Sequence, residues 1–436
     1  MALLTKQRSE AEEEFSRAFE QAQDDFGVDA EAAHRAAFER FLHVGLPNRR
    51  LESWHYSDLR ARLRRAPPLA AAPGPDDVAF ARVECGSRAA PNTLKLVLVD
   101  GRPSAELSDT AIAGLQLRTL ATMPVDDPAW KNIAAIEALT DDPLFDLNGA
   151  FARDGWIIEI APGAQIDQPI ELISLCGATG AQARFARNFV HVGAGAKVSL
   201  LETRAEGVGG FGDSALLLDL EDGAELDYAC RCTSSAPVEV QSVVARVGAK
   251  ARLRAAALLA DAPFLRRQMS VLCQGEYSEV LLAGAALLNQ QNHADTTLAV
   301  KHEAAHCLSR ETFKYVLDDE AEGVFQGKIS VDAQAQKTDG KMLCRGLVLS
   351  DNASMSAKPE LEIFADDVVC GHGASCAKLD AAQVFYMESR GLPQDEAEAM
   401  LIEAFAAETF DVLQNEFLRD VLLADLSQLL QKGRSL

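Results

Sequence analysis

Five short glycine-bearing turns recur through the middle of this chain at nearly constant spacing, and each introduces a run of alternating apolar and polar residues. They are centred on Gly163 (Pro-Gly-Ala-Gln-Ile), Gly195 (Ala-Gly-Ala-Lys-Val), Gly223 (Asp-Gly-Ala-Glu-Leu), Gly248 (Val-Gly-Ala-Lys-Ala) and Gly275 (Gln-Gly-Glu-Tyr-Ser), at intervals of 32, 28, 25 and 27 residues. Alternation with period two is the mark of a strand, and no helical stripe interrupts these intervals. An interval of this size holds about two or three short strands plus corners, which is one coil of a β-solenoid. Glycine supplies the positive φ that a corner demands. The segment 155–375 therefore reads as a right-handed parallel β-helix. A β-sandwich, with a strand about every 8 to 12 residues, is the competing architecture.

The flanks have a different period. Phe15, Ala18, Phe19 and Ala22 form one helical stripe, and Ala33, Ala37, Phe38 and Phe41 form a second, so 1–65 is a helical subdomain. Ala66-Pro67-Pro68 to Pro73-Gly74-Pro75 has the composition of a linker, and it opens a mixed segment, 66–154. Within that segment Leu94 to Val99 reads as a strand ending in the hairpin pair Asp100-Gly101. After the solenoid, 376–436 is helical again. Pro393 opens a helix, and Ala397, Met400, Leu401, Ala404 and Phe405, then Phe410, Leu413, Phe417, Val421 and Leu422, form apolar stripes. A solenoid must cover its last coil, and these helices are the expected cap.

Chemistry concentrates at Cys370-Gly371-His372-Gly373-Ala374-Ser375. On a strand, residues i and i+2 share a face, so the Cys370 thiol and the His372 imidazole point at one spot, as a shared thiophilic metal requires. The plainer alternative is a packed cysteine beside a hydrogen-bonded histidine. Nine cysteines, at 85, 176, 230, 232, 273, 307, 344, 370 and 376, include no Cys-x-x-Cys. Neither a zinc ribbon nor a ferredoxin-type cluster is thus encoded within the chain. Cys230 and Cys232 share a strand face and read as core. His302 and His306 would pair on a helix, but Thr296 to Arg310 reads as strand, which separates them.

These residues carry a resemblance. Lys358-Pro359-Glu360-Leu361-Glu362-Ile363, Ala365-Asp366-Asp367-Val368, the Cys-x-His-Gly-Ala string and Phe385-Tyr386-x-x-Ser389-Arg390-Gly391 resemble the signature of the SufB/SufD family, scaffold subunits of the SUF iron–sulfur cluster assembly system. Val324-Phe325-Gln326-Gly327-Lys328-Ile329 and Ala335-Gln336-Lys337-Thr338-Asp339-Gly340 are similar to two further blocks, and Pro47 to Leu59 resembles an amino-terminal element of the SufD branch. SufB-like chains carry glutamate after the motif histidine; Gly373 stands there, so the chain is closer to the SufD branch. Gly371, Ser375, Cys376-Ala377 and His55 depart from the usual residues.

The resemblance implies a parallel β-helix and a complex with a SufB-like paralogue, paired through the β-helices, and a SufC-like ABC-type ATPase. It implies that His372 ligates a transient iron or nascent iron–sulfur cluster at the paralogue interface. Cys370 is a second candidate ligand, and Cys344 a weaker one, matching a sulfur-accepting position of SufB-like chains. Phe385, Tyr386, Ser389, Arg390 and Gly391, with the helices after them, would dock the ATPase. An isolated chain is free to form a homodimer. Two other function classes stay open: a paralogue that only holds the complex together, and a β-helix carbohydrate-active enzyme. The second needs paired carboxylates on one face, and the adjacent Asp366 and Asp367 of a strand point to opposite faces.

Composition narrows the setting. No phosphate-binding loop of the form Gly-x-x-x-x-Gly-Lys-[Ser/Thr] is present, so no nucleotide is expected on this chain. Its net charge of −23 repels nucleic-acid phosphates. No apolar run approaches the roughly 18 residues of a membrane span. The start Met1-Ala2-Leu3-Leu4-Thr5-Lys6 lacks a signal peptide's apolar stretch, and reduced thiols suit the cytoplasm, the expected location.

Overall fold

The computed structural model describes residues 8–22, 31–178, 180–204, 210–233, 236–260 and 262–433. Residues Met1 to Lys6, read above for a leader segment, lie outside these. The helices are α1 (Glu10–Ala22), α2 (Glu31–Val44), α3 (Leu59–Arg62), α4 (Pro75–Arg88), α5 (Ala129–Glu137), α6 (Pro143–Phe151), α7 (Ala381–Ser389), α8 (Gln394–Ala407) and α9 (Glu416–Gly433). Strands β1 (Leu94–Val99), β2 (Arg102–Pro103), β3 (Leu115–Thr119) and β4 (Trp156–Ile160) begin two sheets. The chain then alternates between them through β5 (Ile170–Leu175), β6 (Gln182–Val192), β7 (Lys197–Arg204), β8 (Gly210–Leu220), β9 (Glu225–Thr233), β10 (Val238–Val247), β11 (Arg252–Ala260) and β12 (Leu265–Cys273). It continues through β13 (Glu279–Leu288), β14 (His293–His302), β15 (Leu308–Leu317), β16 (Glu322–Val331), β17 (Asp339–Val348), β18 (Ser354–Ile363) and β19 (Val369–Ala377).

Odd-numbered strands other than β3, with β2, make a ten-stranded sheet, and even-numbered strands from β4 on, with β3, a nine-stranded one. From β4 onward every pairing is parallel. Among the described residues, antiparallel pairs occur only where β1 turns into β2 and where β3 meets β4. This is a parallel solenoid of two strands per coil, not a sandwich of antiparallel sheets.

Its interior is one continuous column, apolar along most of its length. On β11, Leu253, Ala255, Ala257 and Leu259 face inward, while Ala256 and Leu258 face out beneath the carboxy-terminal helices. A strand covered on both faces has no polar side to show, which is why β11 reads Leu-Arg-Ala-Ala-Ala-Leu-Leu-Ala rather than alternating cleanly.

The corners explain the recurring turns. Gly163, Gly195, Gly223, Lys250, Tyr277, His306 and Lys337 all have positive φ. They stack in one column: the N–H of Gly195 donates to Asp222 O, Gly223 to Ala249 O, Lys250 to Glu276 O and Tyr277 to Ala305 O. The expected corner glycines thus hold at Gly163, Gly195 and Gly223 but not at Gly248 and Gly275, where the left-handed residue comes two positions later. Gly248 answers a different need. An added β-carbon there would lie 2.8 Å from Asp222 Oδ1 and 2.9 Å from the Glu221 carbonyl carbon, so the preceding coil leaves no room for one.

The hairpin expected at Asp100-Gly101 is present, with φ of 49° and 82°. The expected linker is not free. Ala183 N donates to Pro68 O and Ala70 N to Ala183 O, at 2.8 and 2.9 Å, which lays the segment along β6. At the amino terminus Phe15, Phe19, Phe38, Phe41 and Phe151 close on Phe185 and Phe211 of the nine-stranded sheet, with Phe19 and Phe38 stacked at 4.2 Å. Ala33, placed in the stripe by periodicity, is exposed.

The carboxy-terminal helices do not cap the last coil. Phe410, Leu413, Leu418, Leu422 and Leu426 pack on Leu201, Ala229, Ala256, Leu258 and Ala285, the outer face of the ten-stranded sheet. Small outward residues there let helices approach closely and leave an apolar surface that must be covered. The buried face of α8 is Ala397, Ile402 and Ala406, so Met400 and Ala404 turn outward. Among the described residues no helix is long and apolar enough to cross a membrane.

Gly223→Val should cost on the order of 1 to 3 kcal/mol, because a β-branched residue is strained at positive φ. Nothing lies closer than 3.8 Å to an added β-carbon there, so the backbone alone sets the penalty. Chemical denaturation of the full chain measures it, and an unchanged midpoint would remove the corner from the account.

Candidate functional site at the open end of the solenoid

Because the helices cover a flank, the last coil is left open. β18 ends one sheet and β19 the other, each with a single neighbour. On β17, Met342 and Cys344 point into the core. Register pairs Gly340 with Cys370, Met342 with His372, Cys344 with Ala374 and Gly346 with Cys376. Cys370, His372, Ala374 and Cys376 therefore form the inward column of the last strand, opposite Met355, Ala357 and Leu361 of β18, which pack against the same core. The expected shared face of Cys370 and His372 is present. No further coil covers it, so His372 is exposed and Cys370 half-buried.

The two residues differ chemically. Cys370 leans on the core, and burial raises its thiol above the ordinary range, which disfavours the thiolate that binds metal. His372 sits exposed between two glycines at the mouth, with Met342 its register neighbour on β17. Ile363 and Phe364 (64% exposed) at the end of β18 and Val369 at the start of β19 present apolar surface on these two terminal strands. Cys344 is fully buried one strand in, and burial pushes its thiol far up. Among the described residues no three His, Cys, Asp or Glu side chains already stand together as a metal site.

Beyond the mouth, α7 holds out Phe385 (71% exposed) and Tyr386. Ser389 Oγ donates to Tyr386 O at 2.6 Å, the Arg390 guanidinium lies 5.2 Å from the Tyr386 ring centroid, and Gly391 ends the helix at φ 94°. The residues of this turn are all exposed.

The amino-terminal element reaches toward the mouth along the nine-stranded sheet. Arg266, fully buried, stacks 4.3 Å over Trp54 and bonds Asp295 Oδ2 at 2.5 Å and Ser53 O at 2.8 Å. Glu52 pairs with Lys358 of β18 at 2.9 Å. Ser57 Oγ, His293 Nε2 and Nδ1, and Glu322 follow one another at 2.8 and 3.0 Å, the order of a nucleophile triad. Ser57, however, is buried and donates to Asp295 Oδ2, so its hydroxyl accepts from His293, and the group serves to anchor the chain.

Sequence reasoning missed two polar groups inside the solenoid. Cys230 and Cys232 are core as expected, but they border an ionic network. Arg204 bridges Glu202 and Glu239 at 3.1 and 2.5 Å, Arg267 bonds Gln241 Oε1 at 2.8 Å, and Gln241 Nε2 donates to Cys232 Sγ at 2.9 Å. The signal was available: charged residues at the inward positions of β7, β10 and β12. The other group is His302, Ser309 and Glu311, none of them solvent-accessible. His302 Nε2 lies 3.1 Å from Ser309 Oγ, while His302 Nδ1 lacks a hydrogen-bond partner and the Glu311 carboxylate makes no hydrogen bond of good geometry, Ser309 being the side-chain hydroxyl that acts on it. His306 is exposed on a corner, apart from His302. Burial lowers His302 to about 4 and pushes Glu311 up to about 8, against the opposing influence of Ser309 and Arg310.

An acid raised in the folded state binds its proton there while the unfolded chain has lost it, so its penalty grows with pH. With divalent cations chelated, Glu311→Gln should match the parent near pH 4. It should then become more stable than the parent, by a few kcal/mol on the order of 1.4 per pH unit, as pH rises toward about 8. Parallel denaturant titrations measure the gap, and a gap independent of pH would contradict the assignment.

Comparison with known proteins fits this geometry. The family described as SUF system FeS cluster assembly, SufBD core domain, matches residues 175–405, from the last residue of β5 through most of α8. The chain is 28% identical over 404 residues, 91% of its length and 92% of the relative's, to the iron-sulfur cluster assembly protein SufD of Escherichia coli (strain K12). It is 28% identical over 391 residues, 84% and 83% of the two chains, to a SufBD family iron-sulfur cluster assembly protein of Synechocystis sp.. Over 109 residues, a quarter of each chain, it is 36% identical to SufD of Bacillus subtilis (strain 168). The parallel solenoid with its open, histidine-bearing last coil belongs to the SufBD core family of the SUF iron–sulfur cluster assembly system.

Proposed function

We propose that this chain is a non-catalytic scaffold subunit of a SufBCD-type complex, offering His372 as a ligand for iron or a nascent cluster at its interface with a SufB-like paralogue. The observation that carries this reading is the placement of His372 on the inward column of an uncovered last strand. Two unpaired parallel edges, with Phe364 and Val369 exposed beside them, are the kind of surface that a second solenoid completes by strand addition. A neutral imidazole suits Fe²⁺. One ligand from this side, with the rest supplied by the partner, holds the cargo loosely enough to pass it on. Cys370 contributes mainly packing and Cys344 packing alone, since burial keeps both as thiols.

The ATPase, in this reading, docks on α7 through Phe385, Tyr386 and the Ser389-Arg390-Gly391 turn. Nucleotide energy then enters from the partner, and the complex works in the cytoplasm. Removing the whole helical tail would be a poor test, because it strips the cover from Leu201, Ala229 and Leu258. Phe385→Ala with Tyr386→Ala is cleaner: both are exposed, so stability should hold within about 0.5 kcal/mol. Binding of a SufC-like ATPase, measured by calorimetry, should weaken by about tenfold or more. Unchanged affinity would remove this face from the interface.

His372→Ala should leave the fold and complex intact, with stability changed by less than about 0.5 kcal/mol, and lower the iron or cluster acquired by the reconstituted complex. Loss of the complex would make the residue interfacial rather than chemical. Unchanged cluster yield in an intact complex would favour a subunit that only holds the assembly together.

A further inference from the structure

The amino-terminal element Pro47 to Leu59 runs to the open rim of the solenoid. From Ser57 back to Glu52 it crosses the nine-stranded sheet strand by strand: Ser57 bonds Asp295 of β14, Ser53 O accepts from Gln326 Nε2 of β16 at 2.9 Å, and Glu52 pairs with Lys358 of β18 at 2.9 Å. Beside that crossing, Arg49, His55 and Tyr56 form a cleft of about 260 Å³ with Glu322 of β16 and with Ser354 and Ser356 of β18. Glu322 is already engaged by His293 Nδ1 at 3.0 Å. Among the described residues no carboxylate lies within ion-pair distance of the exposed Arg49. The cleft thus holds an unused cation beside two hydroxyls of an edge strand.

The far end of that strand has the opposite sign. Met355, Ala357 and Leu361 of β18 pack on the core, so alternation turns Ser354, Ser356, Lys358, Glu360 and Glu362 to the outer face. Glu360 and Glu362 are exposed. Their ion pairs, 3.2 Å to Lys358 and 2.8 Å to Lys328, lie at the surface, where such pairs are weak and change partners readily. One edge therefore begins with a cation and hydroxyls and ends with carboxylates.

We propose that the amino-terminal element is a lip that selects the paralogue's orientation, Arg49 taking a carboxylate from the end of the paralogue's edge strand. This rests on the reading that a SufB-like solenoid pairs with the open end. Two open ends that meet head to head about a two-fold bring their edge strands together antiparallel, and the start of one strand then lies against the end of the other. A solenoid that ends as this one does places the counterparts of Glu360 and Glu362 at the cleft. Parallel pairing would instead set carboxylate against carboxylate, which like charge disfavours. His372, on the inner column, takes no part in this choice.

The test uses the full chain and a SufB-like paralogue, with affinity measured by calorimetry across a salt series. Arg49→Glu should weaken the complex by about tenfold or more and lessen its salt dependence. Arg49 is exposed, so the melting temperature should not move. Replacing by lysine the paralogue's carboxylate that aligns with Glu360 or Glu362 should restore binding to Arg49→Glu and weaken binding to the parent. His372→Ala should bind as the parent does. Unchanged affinity and salt dependence in Arg49→Glu would overturn the lip and leave the pairing of the solenoids standing. A change confined to self-association of this chain, followed by sedimentation, would assign the cleft to a second copy and likewise overturn it. Failure of the parent to bind the paralogue at all would remove the underlying reading, and the lip with it.

Discussion

Every feature of this molecule hangs on the parallel main-chain ladder between successive coils. It holds equivalent positions in line, so that a residue and its counterpart one coil later meet side by side: Asp222 with Ala249 at a separation of 27, His191 with Asp219 at 28, Gln290 with Asp319 at 29. The strand register, held although these separations vary from 27 to 29 residues, keeps the inward alternation in phase from β4 to β19. One extra residue would turn a whole strand's core side chains to the outside. The same ladder explains the corners. A left-handed residue recurs because each corner donates its N–H to the corner of the next coil, and glycine, lysine, tyrosine and histidine all serve there when the stacking repays the strain.

A ladder of this kind solves every coil except the last. Inside, polar side chains survive only where neighbours satisfy them, as Arg204 does with Glu202 and Glu239. At the end, β18 and β19 have no successor, and whatever stands on their inward column meets solvent or a partner. The helices that would have been spent on a cap lie on the flank instead, drawn by the alanine-rich outer face of β9, β11 and β13. The amino-terminal helices do the corresponding job on the opposite sheet through their phenylalanine cluster. Covering both flanks and leaving the end open gives the repeat one uncovered face.

Much of this was legible in the residues. The period-two runs, the turn spacing and the Asp100-Gly101 hairpin are local: each depends on chain chemistry within a few residues, and each appears where the sequence puts it. The same holds for the face shared by Cys370 and His372, because alternation along a strand needs no knowledge of what lies beyond. Gly248 and Gly275 were misread because glycine answers two needs, positive φ and close approach, and only the neighbouring coil distinguishes them. Met400 and Ala404 were misread because a short amphipathic helix tolerates a shift of its buried stripe until a particular surface selects one.

The sequence by itself determined the periodicities, and with them the solenoid, its helical flanks and the pairing of a thiol and an imidazole on one strand face. The tertiary structure alone decided that this face closes nothing, that the helices sit on a flank, that Ser57 anchors rather than attacks, and that Glu311 lies buried. The physical reason is range. Period and turn chemistry act between neighbours in the chain, whereas burial, exposure and the satisfaction of a polar atom depend on residues brought together from a coil or more away.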